Sequence, residues 1–283
     1  MFHFKNYPSI VKRLDKLSKL IIMITNLNNL IENIKDNKPL SVVRLGNVEI
    51  VTLLKKQGIY KQMYTNAGFY GGDDVYKIWK KLYVEALIKS DCLLDVYSCN
   101  SFQITGDLLV KLNLWKPTLP YLEDPAWWVN ILSELKETIG IVSYFKKDIE
   151  EQIPKLDKIW GKKNLNKLKF TVVKSYQSIE GNTPHEDWNE TFTQLKKKVD
   201  RHPEVKVWFI SCGCYGLPLT NYLKEKGCRA IYVGGILQMF FGLKGKRWLD
   251  RKEANVHFNS LWKYPTEKPE NAKNVEDSCY WGN

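Results

Sequence analysis

The sequence predicts an α/β fold with a Rossmann-like, mostly parallel sheet flanked by helices, preceded by an amphipathic helical segment. Strand-like apolar runs alternate with helical patterns along most of the 283 residues. The run 205–211 is apolar except for Lys206, as expected for a strand covered on both faces. Glycine-containing turns follow several predicted strands. These turns are therefore expected at the carboxyl edge of the sheet, where open α/β sheets bind ligands.

The composition indicates a folded, basic protein. Hydrophobic residues make up 44% of the chain and ten residues are tryptophan, which argues against disorder. No apolar run approaches the roughly 20 residues that span a bilayer, and no secretory signal is visible. The six cysteines lack paired CxxC spacing, which favours reduced thiols in a cytoplasmic protein. The net charge of +12 favours polyanions, anionic membranes or phosphorylated substrates, or it is simply a solvated basic surface.

The chain is divided into a helical segment 1–38, a Rossmann-like domain 39–262 and an aromatic tail 263–283 packed on that domain. Apolar residues at spacings of three and four over 7–38 predict one or two amphipathic helices. Packing on the domain is the simpler interpretation, and a dimer helix is another. Peripheral membrane contact stays open because cations share this segment, namely Lys12, Arg13, Lys16 and Lys19.

A strand, a glycine turn and a helix are predicted over 41–50. Arg44 and Glu49 flank Gly46 and Asn47 in this turn, so both charges are expected at the carboxyl end of the sheet. Two interpretations remain open. The two charges form a structural ion pair, or Arg44 holds a ligand while Glu49 holds a metal or a sugar hydroxyl.

The stretch 63–74 is predicted to be a polar, aromatic and glycine-rich loop before a helix that begins near Val75. Its amide and ring side chains, such as Asn66 and Tyr70, suit a sugar, because rings stack on C–H surfaces while amides bind hydroxyls. Asp73 either caps the following helix or accepts a proton from a substrate.

Further strands are predicted at 92–98, 139–145 and 170–176, with helices over 146–159 and 187–199. The loop 177–187 leaves the same sheet edge and offers Glu180, His185 and Asp187 as proton acceptors. Asp187 is equally suited to cap the next helix, and His185 to lie on the surface. Four histidines without clustered Cys or His spacing make a zinc enzyme improbable.

The segment 205–233 reads as strand, glycine turn, helix and strand. Gly213 and Gly216 frame the turn, and a helix opened in this way presents N–H groups that suit an anion. The spacing is GxxG rather than GxGxxG, and no acidic residue follows the second strand. Both facts count against NAD, and the missing acidic residue also counts against a methyl donor.

The loop 234–248 follows the second strand and combines glycines with cations. Glycines let the backbone approach a ligand closely, and cations stabilise an anion there. This pattern favours diphosphate binding, and the alternative is a solvated basic turn. The residues predicted to bind the diphosphate are Gly234, Gly235, Gln238, Lys244, Lys246 and Arg247.

Four segments resemble the GT-D-type glycosyltransferase family of bacteria and viruses: RLGNVE at 44–49, NAGFY at 66–70, GCYGLPL at 213–219 and GGILQMFFGLKGKRW at 234–248. The resemblance implies a cytoplasmic hexosyltransferase of glycan biosynthesis, with a nucleotide-sugar donor, a UDP-sugar favoured, and a glycan or glycoprotein acceptor. In that family an Asp-x-Glu turn after the first strand serves a divalent metal, Mn or Mg, and the donor diphosphate. This chain has Asn47-Val48-Glu49, which leaves Glu49 as the matching metal ligand.

The sequence thus assigns catalysis to Glu49, Glu180 and Asp73. It assigns donor binding to Arg44, Gly46, Asn47, Asn66, Tyr70, Gly213, Gly216, Gly234, Gly235, Gln238, Lys244, Lys246 and Arg247. Another Rossmann-type enzyme, such as a methyltransferase, and a basic nucleic-acid-binding protein remain as alternatives. Nucleic acid is disfavoured as a partner because no recognised reading motif or basic stripe is present.

Overall fold

A computed structural model describes residues 27–54, 61–95, 99–120, 123–275 and 277–282. These residues form an all-parallel, seven-stranded sheet with helices on both faces, which confirms the predicted fold class. In chain order the strands are β1 Leu40–Arg44, β2 Cys92–Asp95, β3 Thr118–Pro120, β4 Ile139–Ser143, β5 Phe170–Lys174, β6 Val207–Ser211 and β7 Arg229–Tyr232. Their order across the sheet is β3-β2-β1-β7-β6-β4-β5.

The helices are α1 Leu27–Lys35, α2 Asn47–Leu54, α3 Asp73–Lys89, α4 Cys99–Lys111, α5 Pro125–Glu134, α6 Lys146–Gln152, α7 Leu156–Trp160, α8 Trp188–Val199, α9 Gly216–Glu225 and α10 Lys252–Asn255. Helix α1 precedes the first strand, α10 follows the last strand, and the other helices connect the strands. A π-helical turn, Met63–Ala67, occupies the predicted loop before α3. Short 3₁₀ helices, Gly213–Tyr215, Gly234–Phe241 and Lys246–Trp248, occupy the glycine-rich segments.

Several predicted bounds are wrong for local reasons. The helix expected over 146–159 is interrupted by a 3₁₀ turn at Ile153–Lys155, because Pro154 lacks the N–H that a continuous helix needs. The strands expected to reach 145 and 176 end at Ser143 and Lys174. The strand expected at 92–98 is described as far as Asp95, and residues 96–98 lie outside the described part of the chain.

Side chains alternate between the two faces of the sheet and build two cores. In β1, Val42 belongs to one core and Val43 to the other. The first core joins the sheet to α1, α5, α6 and α7, with Trp128 fully buried. The second joins it to α2, α3, α4, α8 and α9, with Trp79 and Trp188 fully buried. Helices on both faces explain why the strands are apolar along their length.

The described part of the amino-terminal segment packs on the domain. Leu30 and Ile34 of α1 are fully buried in the first core, and the Ile34 carbonyl accepts a 2.6 Å hydrogen bond from Arg229 Nη1. The predicted membrane contact depends on four cations, Lys12, Arg13, Lys16 and Lys19. These residues lie outside the described part of the chain, so the contact stays a prediction. Within the described ranges, every helix is too short or too polar to cross a membrane.

The chain reverses its direction across the sheet between β4 and β6. From β4 it continues into α6 on one face, and from β6 into α9 on the other. Ser143 and Ser211, the last residues of these neighbouring strands, are register partners. Strands whose following helices diverge leave a crevice at their carboxyl ends, and this is where α/β sheets bind ligands.

Candidate active site

A cavity of about 430 Å³ lies at this edge of the sheet. Its lining comes from the carboxyl ends of β1, β4, β5, β6 and β7, and from the carboxyl-terminal segment of the chain. The structure brings many of the predicted site residues to this lining. They are Arg44, Gly46, Asn47, Glu49, Asn66, Gly213, Gly234, Gly235, Gln238 and Arg247.

Arg44 is the last residue of β1, and its side chain crosses the backbone after β7. A Cβ atom at Gly234 would lie 2.5 Å from Arg44 Nη1, and Gly234 has a φ of +70°. Both the space and the backbone conformation therefore require glycine. The glycine turn after β7 thus places a guanidinium from β1 at the cavity wall.

Glu49 lies in the first turn of α2 and is 5% exposed. Its carboxylate packs against Gly46, where an added Cβ would overlap it. Burial raises the pKa of Glu49, while its own backbone N–H and the charge of Arg44 oppose this rise. Glu49 is therefore a carboxyl group that holds its proton more tightly than a carboxyl group in water.

Arg247 reaches the cavity from the 3₁₀ turn Lys246–Trp248. Its Nη1 donates a 2.9 Å hydrogen bond to Tyr280 Oη, and its guanidinium carbon lies 4.6 Å from the Tyr280 ring centroid. The ring lies close to Gly235, where an added Cβ would be 2.5 Å from Tyr280 Cε1. Tyr280 thus fixes Arg247 in place, and Gly235 makes room for Tyr280.

Gln238 and Ser175 each place a buried polar atom in the lining that has no hydrogen-bond partner among the described residues. Gln238 Nε2 donates to the carbonyls of Leu243 and Tyr280 at 3.2 and 3.1 Å, which leaves its Oε1 without a partner. Ser175 Oγ, which follows β5, also has none. Buried polar groups are normally satisfied, so both atoms are candidates to bind a ligand.

The glycine turn after β6 divides its two glycines between two roles. Gly213 lines the cavity with a φ of +56°, and its missing side chain leaves room for the Ala67 carbonyl. Gly216 lies outside the lining, under the ring of Tyr232. Tyr232 in turn donates a 3.0 Å hydrogen bond to the Gly213 carbonyl. Gly216 therefore supports the cavity wall through packing.

Other predicted donor-binding residues lie away from the cavity lining. Tyr70 is buried and its Oη lies 2.6 Å from Thr191 Oγ1. Lys244 Nζ lies 4.9 Å from the Tyr264 ring centroid. Lys246 Nζ pairs with Asp277 at 2.8 Å. The structure does not bring these three side chains to the site, and their predicted role in donor binding stays a prediction.

The predicted proton acceptors of the loops are also not in the lining. Asp73 is exposed in the first turn of α3, and Gly72, not Asp73, occupies the N-cap position. The Glu180 backbone, with a φ of +49°, accepts a 2.6 Å hydrogen bond from Asn271. Asp187 caps α8, because its Oδ1 accepts from the Glu190 N–H at 2.8 Å. Of the carboxylates considered from sequence, Glu49 is the one that the cavity contains.

Residues that end β4 and β6 or that follow β4 and β5 were not identified from the sequence. Ser143, Tyr144, Ser175, Tyr176, Gln177 and Ser211 all line the cavity. The rule that identified Arg44 applies to them, since each lies at the carboxyl end of a parallel strand. Arg251 also lines the cavity and pairs with Glu123 at 2.7 Å. Tyr280 and Trp281 of the predicted aromatic tail pack on the first core and also line the cavity.

The lining fits an anion better than a divalent metal. Within the described ranges, no three His, Cys, Asp or Glu side chains are grouped as metal ligands. Glu49 is the one carboxylate among the described lining residues, its pKa is raised, and the charge of Arg44 acts on it. A divalent cation needs oxygen ligands that are ionised or unpaired. Three arginines, Arg44, Arg247 and Arg251, instead supply positive charge to the cavity.

No family model and no curated protein sequence matches the chain. Among solved structures, a similar chain is described as "A New Glycosyltransferase (DUF1792) from Streptococcus sanguinis". The two share 14% sequence identity with a TM-score of 0.46, over 84% of this chain and 92% of that chain.

Proposed function

We propose that this protein transfers a sugar from a nucleoside diphosphate donor to a hydroxyl group of a glycan or glycoprotein. The favoured donor is a UDP-sugar. One observation carries the proposal: Arg44 and Arg247, about 200 residues apart in the sequence, line one cavity together with Gly213, Gly234 and Gly235. A guanidinium group binds two phosphate oxygens through two parallel hydrogen bonds, and glycines let the backbone approach the phosphate closely. A cytoplasmic location, where activated sugars are consumed, belongs to the same proposal.

The chemistry needs positive charge where the leaving group forms. When the bond between the anomeric carbon and the diphosphate oxygen breaks, its electron pair stays on that oxygen. Fixed cations in a partly enclosed site stabilise this charge without having to reorganise. Arg247 is fixed by Tyr280 and Arg44 by its fit against Gly234, so both are suited to this task.

Glu49 is the proposed acceptor of the proton that the attacking hydroxyl loses. The new bond joins the acceptor oxygen to the anomeric carbon, and the hydroxyl proton passes to the Glu49 carboxylate. A buried carboxylate with a raised pKa is a stronger base than an exposed one. No step of this proposal uses a metal, because the donor set of the lining does not fit one.

The donor class is tested by calorimetric titration with UDP-, GDP- and dTDP-sugars, each with manganese and with a chelator. We expect a nucleotide-sugar, a UDP-sugar first, to bind with a Kd that the chelator leaves unchanged. Binding that appears only with manganese would overturn the arginine-based account. Failure of all three donor classes would overturn the proposed function. A response to a methyl donor, or salt-sensitive binding of nucleic acid, would point to the alternatives instead.

Two adjacent cations give a matched pair of variants. Arg247→Ala removes a guanidinium from the lining, and we expect turnover to fall about a hundredfold, as when one charge-stabilising donor is removed. Lys246→Ala removes a cation that pairs with Asp277 outside the lining, so turnover should stay within about threefold. Steady-state kinetics measures both, and thermal melting checks the fold. Equal effects of the two variants would contradict the assignment of Arg247.

A further inference from the structure

The two ends of the cavity differ in charge. Arg44 and Glu49 belong to the β1 side, whereas the described lining at the β4 and β5 end is uncharged. It includes Ser143, Tyr144, Phe145, Ser175, Tyr176, Gln177 and Ser178. In the sheet order, β5 is four strand spacings from β1, about 19 Å at 4.8 Å each. A diphosphate held by Arg44 therefore leaves the β4 and β5 end open to a second substrate.

Aromatic rings approach this end from both faces of the sheet. Tyr144 packs against the first core and Tyr176 against the second, so the carboxyl ends of β4 and β5 lie between them. Ser175 joins the two strands there, because its N–H donates a 2.9 Å hydrogen bond to the Ser143 carbonyl. This end of the cavity is therefore a slot with the two tyrosines as its walls and with Ser143 and Ser175 between them as its floor.

The tyrosine walls are held by lysines. Lys174 Nζ lies 5.0 Å from the Tyr144 ring centroid, and Lys198 Nζ lies 3.6 Å from the Tyr176 ring centroid. Lys174 is also paired with Glu267 at 2.6 Å, so its charge is compensated. Contacts of this kind between a cation and a ring face favour one orientation of the ring. Both tyrosines are half-buried, so a ligand that enters from solvent can reach them.

The floor of the slot contains an unsatisfied hydroxyl group. Ser175 is 2% exposed, and its Oγ has no hydrogen-bond partner among the described residues. A buried hydroxyl that makes no hydrogen bond is costly, and a serine hydroxyl can both donate and accept. A sugar hydroxyl matches it in both directions, and the C–H faces of a sugar ring match the tyrosine rings.

We propose that the β4 and β5 end of the cavity is a subsite for a neutral sugar of the acceptor. Tyr144 and Tyr176 flank the sugar ring, and Ser175 Oγ forms a hydrogen bond with one of its hydroxyls. This assignment depends on the proposed function only for the place of the donor. The nucleoside of the donor is the alternative occupant of the slot, because its base also stacks on aromatic rings. Its polar edges find partners at the arginine end, in the amides of Asn47 and Asn66 and in Gln238 Oε1.

The test is binding of methyl glycosides of glucose, galactose, mannose and N-acetylglucosamine, measured by saturation-transfer NMR with UDP present. UDP binding is measured separately by calorimetry. The variants are Tyr176→Ala, Tyr144→Ala and Ser175→Ala. Tyr222→Ala is the matched control, because Lys196 and Lys226 lie 5.5 and 5.2 Å from its ring centroid but it is outside the cavity lining. Thermal melting checks that each variant is folded.

We expect at least one glycoside to bind the unmodified protein and to lose about tenfold or more in affinity in each slot variant, while UDP affinity changes less than about twofold. Tyr222→Ala should change neither. A slot variant that loses UDP and keeps the glycoside would assign the slot to the nucleoside and overturn the proposal. Glycuronides or sugar phosphates binding in place of the neutral glycosides, or UDP binding with no glycoside, would also overturn it. If UDP and every other nucleotide fail to bind, the proposed function fails, whereas glycoside binding that depends on Tyr176 would still support the sugar subsite.

Discussion

Glu49 is the residue at which stability and the proposed activity conflict. Its pKa is raised by burial, so the folded protein binds this proton more tightly than the unfolded chain does. The resulting contribution to stability is fully present below the unfolded pKa, near 4.5, and is lost as the pH rises through the folded pKa. At neutral pH, above the unfolded pKa, the burial of Glu49 therefore costs folding free energy.

Replacement of Glu49 by glutamine tests this conflict. We expect Glu49→Gln to unfold at a higher denaturant concentration than the unmodified protein at pH 7, and the difference to vanish below pH 4. The same variant should lose about a hundredfold or more in turnover, since an amide accepts no proton. Urea unfolding at both pH values and kinetics at pH 7 measure these effects.

The control for this variant is Glu253→Gln, at an exposed position of α10, which should change stability little at either pH. A Glu49→Gln variant that is less stable at pH 7 would show that Arg44 and the amino terminus of α2 stabilise the charge more than burial disfavours it.

At the scale of the element, the start of α9 shows how a helix supports the site. Gly216 is a helical glycine that lies under the Tyr232 ring of β7, so an alanine Cβ there would overlap the ring. Alanine normally stabilises a helix over glycine by about 1 kcal/mol. Here the overlap must displace Tyr232, which donates to the Gly213 carbonyl at the cavity wall.

We therefore expect Gly216→Ala to destabilise the protein and to weaken nucleotide binding. Gly106→Ala in α4 is the matched control. No atom lies within 4 Å of a Cβ built there, so this variant should gain about 0.5 to 1 kcal/mol. Unfolding in guanidinium chloride measures the change in the free energy of unfolding for each variant. A Gly216→Ala variant that gains stability would show that Tyr232 moves aside at little cost.

Most strands could be predicted because each is an apolar run, and in β6 and β7 a glycine turn follows two residues after the strand. The exceptions have weak local signals. β3, with three residues and Pro120, pairs with β2 alone, and its pairing depends on contacts that are distant in sequence. α4 and α5, on either side of it, were also not predicted.

Which side chains face the cavity was less predictable than which turns reach it. Lys246 and Arg247 are adjacent and carry the same charge, yet only Arg247 belongs to the lining. In a 3₁₀ turn, successive side chains point about 120° apart, so adjacent residues face different surroundings. The sequence identifies this turn by its composition, but its orientation depends on how the carboxyl-terminal segment packs against it.

At the scale of the whole molecule, the carboxyl-terminal segment connects the core to the cavity. The Thr266 and Glu267 N–H groups donate to buried Asp148 of α6 at 2.8 and 3.0 Å. Further along, the Arg247 N–H donates to the Cys279 carbonyl at 3.0 Å. A segment fixed at both places should unfold together with the sheet, and the wall that it contributes should be as rigid as the core.

Trp281 is the residue that tests this connection. It is 1% exposed, its ring centroid lies 6.0 Å from that of Phe145, and its Nε1 donates to the Glu267 carbonyl at 3.0 Å. We expect Trp281→Ala to cost about 3 to 5 kcal/mol of unfolding free energy, as for other large-to-small changes in a core. Trp115→Ala, at a tryptophan that is 56% exposed, should stay within about 0.5 kcal/mol. Urea unfolding measures the stability of both variants. Titration with UDP below the unfolding transition shows whether the loss of Trp281 also weakens the site, as its place in the lining requires.

If Trp281→Ala kept its stability, the carboxyl-terminal segment would be a peripheral cover that opens independently of the sheet, and the fixed position of Arg247 would need another source.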